Sequence, residues 1–141
     1  MAKALIKYLV LKEVGAIFVS AFTTEYVELT NNKSVDFIIT TGTGEAAKTN
    51  ITVKAKKEDG DEVLIPFKEK IGQTTYNNVE KEGKEFVIGG TEDECGFIVI
   101  TIDSVTLKGL YDRVAVCLSG VEDSIVNGSV IAATYDPRYS E

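Results

Sequence analysis

Apolar and polar residues alternate along most of this chain, and this two-residue period is the feature that most constrains its fold. The clearest case is the segment NITVKAK, in which Ile51, Val53 and Ala55 fall on one side of an extended strand and the intervening polar residues fall on the other. The alternating segments are rich in Val, Ile, Thr, Phe and Tyr, which strands favour. Helical periodicity is hard to find, so the pattern predicts an all-β chain.

A hairpin around Asp59 and Gly60 is the most sharply predicted unit. This pair supplies the positive backbone angles of a tight reversal between NITVKAK and VLIPFKEK, and the second segment places Val63, Ile65 and Phe67 on one face. The proline inside VLIPFKEK cannot donate a hydrogen bond to a neighbouring strand. We therefore expect the second strand to run along an edge or to carry a bulge there.

The remaining segments predict a single domain, residues 1–141, folded as an antiparallel β-sandwich or barrel of about 8 to 10 strands. FIVITID is apolar on both faces apart from Thr101, which is typical of a central strand. We expect at most one short helical turn, in DSVTLKGLYD, capped by Asp103 or Ser104, and a long polar loop from Gly72 to Glu85. Further strands are predicted over Leu5 to Leu11, Ala16 to Phe22, Glu25 to Thr30, Val35 to Thr41, Lys84 to Ile88, Phe97 to Ile102, Arg113 to Leu118 and Ser129 to Tyr135.

Composition argues against several functional classes. The chain has no histidine, which removes the commonest general base and Ser-His-Asp or Cys-His catalysis, so we expect no enzymatic activity and predict no catalytic residues. A net charge of −7 argues against nucleic acid as a partner. Cys95 and Cys117 lack CxxC spacing and are predicted to be small core residues. The apolar runs are too short to span a bilayer, and we expect neither a membrane partner nor a secretory leader.

Two weak motifs are interpreted as ordinary surface structure. TTGTGEAAKTN holds Gly42 and Gly44, but a phosphate-binding loop would need a Gly-Lys-Ser/Thr ending that opens a helix, so a β-turn is favoured. The acidic clusters lack the ligand spacing of an EF-hand loop and are interpreted as solvated turns, although two of them could meet at one end of a sandwich. We predict no cofactor and no metal. The clusters lie at residues 58–61, 92–94 and 122–123.

The two ends of the chain carry residue types that interfaces favour. The segment TYDPRYSE contains Tyr135, Pro137, Arg138 and Tyr139, and the early segment LIKYLVL contains Tyr8. We predict these five as interface residues, with 1–12 and 135–141 as interface arms of the domain. The alternative is that Tyr135 is the last inward residue of a strand and that the remaining residues form a frayed end.

The order of these segments resembles a group of small β-rich virion proteins of tailed bacteriophages. The likeness runs from Thr40 to Tyr139, and its most specific parts are IPFK, ITIDSVTL followed by YDRVAVCL, and the DPRY ending. Members of this group commonly carry an arginine after the IPF-like element, where this chain has Lys68. If that arginine makes a bidentate contact, lysine would replace it poorly.

This resemblance implies a non-enzymatic structural protein of the virion, assembled in the host cytoplasm. It implies an auxiliary or decoration protein on the capsid shell, whose partners are the major capsid protein or neighbouring virion subunits, and which forms a homo-oligomer. One alternative is a connector, tail or head-fibre component with the same architecture. A second is a soluble carbohydrate- or receptor-binding β module with Tyr76 and Tyr111 as stacking groups on loops, and a third, a metal-dependent hydrolase, would need a carboxylate cluster.

Overall fold

The computed structural model describes residues 5–29, 34–71, 76–90, 96–107 and 109–136 of the chain. Within them strands dominate, accompanied by a 3₁₀ helix at Ile17–Val19 and a helical turn, α1, at Ser104–Leu107. The strands in chain order are β1 (Leu5–Gly15), β2 (Phe22–Thr23), β3 (Val27–Glu28), β4 (Ser34–Thr41), β5 (Gly44–Lys56), β6 (Val63–Ile65), β7 (Phe67–Ile71), β8 (Asn77–Val79), β9 (Lys84–Gly90), β10 (Phe97–Asp103), β11 (Arg113–Leu118) and β12 (Gly128–Asp136).

These strands form two sheets packed face to face, and the sandwich does not close into a barrel. The first sheet has the order β1-β12-β4-β10-β7-β8. The second has the order β2-β11-β5-β6, with β3 also pairing with β11 and β9 with β5. Most neighbours in these sheets are distant in sequence, as in β1 and β12, so the fold depends on non-local pairing.

The core lies between the two sheets and follows the two-residue period. In β4, Val35, Phe37 and Ile39 are buried while the residues between them are half-buried, and in β10 the buried Ile98 and Ile100 take the same inward positions. The antiparallel register places these inward residues side by side. The largest fully buried side chains are Phe18, Phe37, Ile39, Ile51, Ile88, Ile98, Ile100, Leu118, Val35, Val53, Val114 and Val116.

Several predictions from the sequence are confirmed. The class is an all-β sandwich, and β5 and β6 form the predicted hairpin, with Val53 opposite Ile65. The second strand is shorter than predicted, because Phe67 belongs to β7 of the first sheet and does not share a face with Val63 and Ile65. FIVITID forms β10, which lies between β4 and β7 as a central strand. The proline in VLIPFKEK follows an edge strand as expected, and it has a further role: β6 belongs to the second sheet and β7 to the first, so Pro66 lies where the chain crosses between sheets.

The predicted strand from Ala16 to Phe22 is wrong, because this segment begins with the 3₁₀ helix and only Phe22 belongs to a strand. The helix turns Phe18 completely into the core, under the end of β12. A Cβ placed on Gly128 would lie 2.6 Å from Phe18 Cζ, so the aromatic ring occupies the space that a side chain would need. Gly128 pairs with Gly15 of β1, and Phe18 therefore supports the β1–β12 pair from beneath.

Two other expectations also need correction. The strand predicted from Glu25 to Thr30 is only the two-residue β3, although Thr30 itself lies outside the described residues. The segment from Gly72 to Glu85 is not one loop, because β8 forms within it and pairs with β7, and β9 begins at Lys84. The predicted helical turn is present as α1.

Candidate interaction surface

The outer face of the first sheet brings together residues from four strands. Tyr8 of β1 lies opposite Ala133 of β12, which lies opposite Asp36 of β4, which in turn lies opposite Thr101 of β10. The neighbours of Asp36 in β4 are buried in the core, so Asp36 and its row point away from the other sheet. This row therefore crosses the exposed side of the sandwich.

A second row beside it is apolar. Val10, Ile131, Ile38 and Val99 follow one another across β1, β12, β4 and β10, and Lys70 of β7 ends the row. Val10 is largely exposed, Ile131 and Ile38 are half-buried, and Val99 is buried although it points outward. β-branched residues on adjacent strands pack well on a pleated surface, and here they form a continuous apolar strip.

Asp36 organises the polar row. Thr101 Oγ1 donates a hydrogen bond of 2.7 Å to Asp36 Oδ1, and the Tyr135 hydroxyl donates one of 3.0 Å to Asp36 Oδ2. Burial and, after it, the hydrogen bond to Asp36 raise the pKa of Tyr135 to about 12. The phenol therefore remains a protonated donor at neutral pH, and both carboxylate oxygens of Asp36 have a partner.

Two further tyrosines lie on this outer side of the sheet. Tyr8 belongs to the polar row through its register with Ala133, and Tyr76 lies beside Lys70, the residue that ends the apolar row. Tyr8 is 67% exposed, and Lys70 Nζ lies 4.8 Å from the centroid of the Tyr76 ring. Aromatic rings with a polar tip are enriched at protein interfaces. We call this surface the tyrosine face; it comprises Tyr8, Val10, Asp36, Ile38, Tyr76, Phe97, Val99, Thr101, Ile131 and Tyr135.

The predicted interface residues fall partly on this surface. Tyr8 and Tyr135 both lie on the tyrosine face, in the adjacent strands β1 and β12. Tyr135 pairs with Ile6, and Tyr8 follows Ile6 by two residues in β1. Tyr135 points outward, so the alternative that it is an inward residue is wrong. Pro137, Arg138 and Tyr139 lie outside the described residues.

The sequence did not single out Asp36, which joins Tyr135 to Thr101. A carboxylate at an alternate position of a strand is typical of a residue facing water, and its two partners are 65 and 99 residues away. Of the two tyrosines suggested as stacking groups, Tyr76 is exposed and lies on the tyrosine face beside Lys70. Tyr111 is half-buried and packs against the core, so it is not available as an exposed platform.

The described part of the chain contains no group of three or more Cys, Asp or Glu residues that could hold a metal ion. Cys117 is a half-buried free cysteine whose sulfur accepts a hydrogen bond of 3.3 Å from the Thr23 hydroxyl, whereas Cys95 is not among the described residues. None of the helical segments in the described ranges is long and apolar enough to cross a membrane.

A buried carboxylate lies elsewhere in the sandwich. Glu69 of β7 is almost fully buried opposite Ile100; Asn77 Nδ2 donates a bond of 3.3 Å to its Oε1, and Lys84 Nζ lies 3.9 Å from the same oxygen. Its other oxygen, Oε2, has no hydrogen-bond partner among the described residues. Because Lys84 begins β9 of the second sheet, this ion pair links the two sheets.

The fold and the tyrosine face define an antiparallel β-sandwich with a polar–aromatic outer surface. The chain is similar in structure to the SPBc2 prophage-derived protein YomS, whose crystal structure superposes with a TM-score of 0.60 over 96% of this chain and 97% of that one. The two sequences are 12% identical, so the likeness shows a shared fold. No protein-family model matches this chain, and no curated protein matches it.

Proposed function

We propose that this chain is a non-enzymatic structural protein of a tailed-phage virion, bound as an auxiliary or decoration protein to the capsid shell. The observation that carries the proposal is the tyrosine face, since an exposed aromatic and β-branched surface joined to an organised carboxylate is typical of a docking surface. The structural likeness to a prophage-derived protein supports a phage origin. The segments IPFK and DPRY support the virion class.

In this proposal the tyrosine face contacts the major capsid protein or a neighbouring virion subunit. Tyr8, Phe97 and Tyr76 are the large exposed side chains of that face, and exposed aromatic residues that become desolvated often dominate binding energy. The negative charge of the chain keeps many copies soluble before docking. The chain acts as a homo-oligomer, it needs no cofactor, and it resides in the virion after assembly in the host cytoplasm.

Co-sedimentation with purified empty shells tests the proposal. The wild-type chain should bind saturably at a fixed ratio to the major capsid protein. The double variant Tyr76→Ala/Phe97→Ala, altered on the side of the tyrosine face away from β1, should bind about tenfold or more weakly, which corresponds to a loss of about 1.4 kcal/mol. The matched control is Leu110→Ala, which removes an exposed apolar side chain between α1 and β11 and should leave binding unchanged.

Isolated tails serve as the parallel sample. Binding to tails alone would replace the decoration role with that of a connector, tail or head-fibre component, and binding to neither would favour a carbohydrate- or receptor-binding module. A truncation that removes residues 137–141 tests the predicted contribution of Pro137, Arg138 and Tyr139 separately. Full shell binding by the truncated chain would contradict that contribution.

A further inference from the structure

The edges of the two sheets differ greatly in length within the described residues. β1, at one edge of the first sheet, has 11 residues, whereas β8, at the other edge, has 3. In the second sheet β2 and β3 have 2 residues each, β6 has 3, and β9 has 7. An edge strand presents unpaired N–H and C=O groups to solvent, and natural proteins usually keep such strands short or guarded by charge and proline.

Strand β1 lacks these protections along its central part. Tyr8, Leu9 and Val10 are consecutive, belong to both faces of the strand, and are 67%, 45% and 63% exposed. The segment contains no proline. Lys12 is a charged residue that could prevent strand addition at this edge, but its Nζ lies 4.8 Å from the centroid of the Phe22 ring in the second sheet. A long edge that exposes such an apolar run between its two lysines, Lys7 and Lys12, is the geometry that another strand can extend.

The register of β1 adds to this argument. From Leu5 to Val10 the strand pairs with β12 residue by residue, from Asp136 to Ile131, and irregularities begin only after Val10. Six consecutive residues are therefore held in regular extended geometry by β12. Such a segment presents a preformed ladder on its free side, so a partner strand need not order it on binding.

From these features we infer that the free edge of β1 pairs with a strand of a second copy of this chain, extending the first sheet from one subunit into the next. The inference rests on the proposed function, in which the chain acts as a homo-oligomer.

Charge favours a second copy as the occupant. Strand β1 carries two lysines and one glutamate, whereas the rest of the chain carries 13 basic and 21 acidic residues. β1 is therefore slightly basic, whereas the rest of another copy is strongly acidic. Complementary charge of this kind accelerates encounter and orients the partners.

The pairing also extends the candidate interaction surface. Tyr8 and Val10 belong both to β1 and to the tyrosine face, and an added strand continues the outer face of the first sheet beyond them. Cross-strand contacts between aromatic and β-branched residues stabilise adjacent strands. Oligomerisation would thus place the tyrosine faces of neighbouring copies next to each other, which suits repeated contacts with a lattice of capsid subunits.

The oligomeric state of the full chain tests the inference. Light scattering coupled to size exclusion should give the wild-type chain a mass that is a multiple of 15.3 kDa. The double variant Tyr8→Lys/Val10→Lys places charge on exposed positions of β1 and should elute as a single copy while keeping its β-sheet circular dichroism. The matched control, Leu64→Lys, changes an exposed apolar residue of the edge strand β6 and should keep the wild-type mass.

Hydrogen exchange supplies a readout that does not depend on a variant. In the assembled wild-type chain, the β1 amides that point away from β12 should exchange slowly, and dilution to single copies should make them exchange rapidly. A wild-type chain that is monomeric at every concentration would overturn the inference, as would an oligomer whose outward β1 amides exchange freely or which survives both lysines. Shell binding is measured independently, so an oligomer that fails to bind shells would overturn the proposed function alone.

Discussion

Strands β1 and β6 both lie at the edge of a sheet, but they differ in length and in the residues that they expose there. β1 continues for 11 residues with exposed apolar side chains, whereas β6 stops after 3 residues at Pro66. Beside β6, Lys54 Nζ lies 3.2 Å from Glu62 Oε2, so charged groups cover the neighbouring surface. The comparison shows that within one sandwich the β6 edge is protected against pairing with a further strand, whereas the β1 edge is not.

The first test, with the largest expected effect, truncates one apolar side chain that packs at each of the two edges. Phe18→Ala should lower the free energy of unfolding by about 3 to 5 kcal/mol, because it empties a fully buried site under the β1–β12 pair. Ile65→Ala in β6 should cost clearly less, since Ile65 is only partly buried. Urea unfolding followed by circular dichroism measures both values. Equal losses would show that the two edges depend on the core to the same extent.

Local pattern and turn chemistry predicted the β5–β6 hairpin and the central strand β10, because their signals lie within short segments. The same reasoning failed for Phe18, whose position depends on Gly128, more than a hundred residues later. It also failed for β8, in which Asn77 and Asn78 give no apolar alternation. Pairing with β7 determines that strand, and pairing partners are not visible in local sequence.

As with the fold, the sequence predicted only those features of the candidate surface that depend on local information. Tyr8 and Tyr135 were selected because of their residue type, and residue type is local information. Their proximity comes from the register of β1 with β12, strands at opposite ends of the chain. Asp36 was missed because its role depends on hydroxyl groups that two other strands supply. The sequence therefore allowed the two tyrosines to be selected as candidates, but not their arrangement around Asp36 to be predicted.

The second test concerns the polar row that connects β12 to β4 and β10. Asp36→Ala removes the acceptor of both the Tyr135 and Thr101 hydroxyl groups, and we expect a loss of about 1 to 2 kcal/mol in the free energy of unfolding, because the partners are only partly buried. Tyr135→Phe is the milder control, since it removes one donor and leaves the ring in place. A stability loss in Tyr135→Phe as large as in Asp36→Ala would contradict the central role of Asp36.

Alkaline titration of Tyr135 is a second way to test the role of Asp36. The pKa of Tyr135 is about 12 in the folded chain, against 10.0 for an unperturbed phenol, so its contribution to stability is complete below pH 10 and is lost as the pH rises through about 12. In Asp36→Ala this pKa should fall part of the way toward 10.0, because burial, its largest cause, remains. The pKa of Tyr26, which precedes β3 and is raised by burial to about 12, should not change. Because the chain has six tyrosines, NMR spectra of isotope-labelled tyrosine, assigned residue by residue, measure both pKa values.

The third and smallest test acts on Pro66, where the chain leaves β6 for β7. Proline restricts the unfolded chain, so Pro66→Ala should lower the free energy of unfolding by about 0.4 to 1 kcal/mol while the folded backbone keeps its path.

The same change gives residue 66 a backbone N–H at the end of the β6 edge. Because β6 remains only three residues long and is flanked by the Lys54–Glu62 pair, we expect this added donor to leave the mass in solution unchanged. New self-association in Pro66→Ala would show that proline, rather than shortness and charge, keeps the β6 edge closed. An unchanged mass would assign that protection to the short strand and its neighbouring charges, and strand length is the property in which β6 differs most from β1.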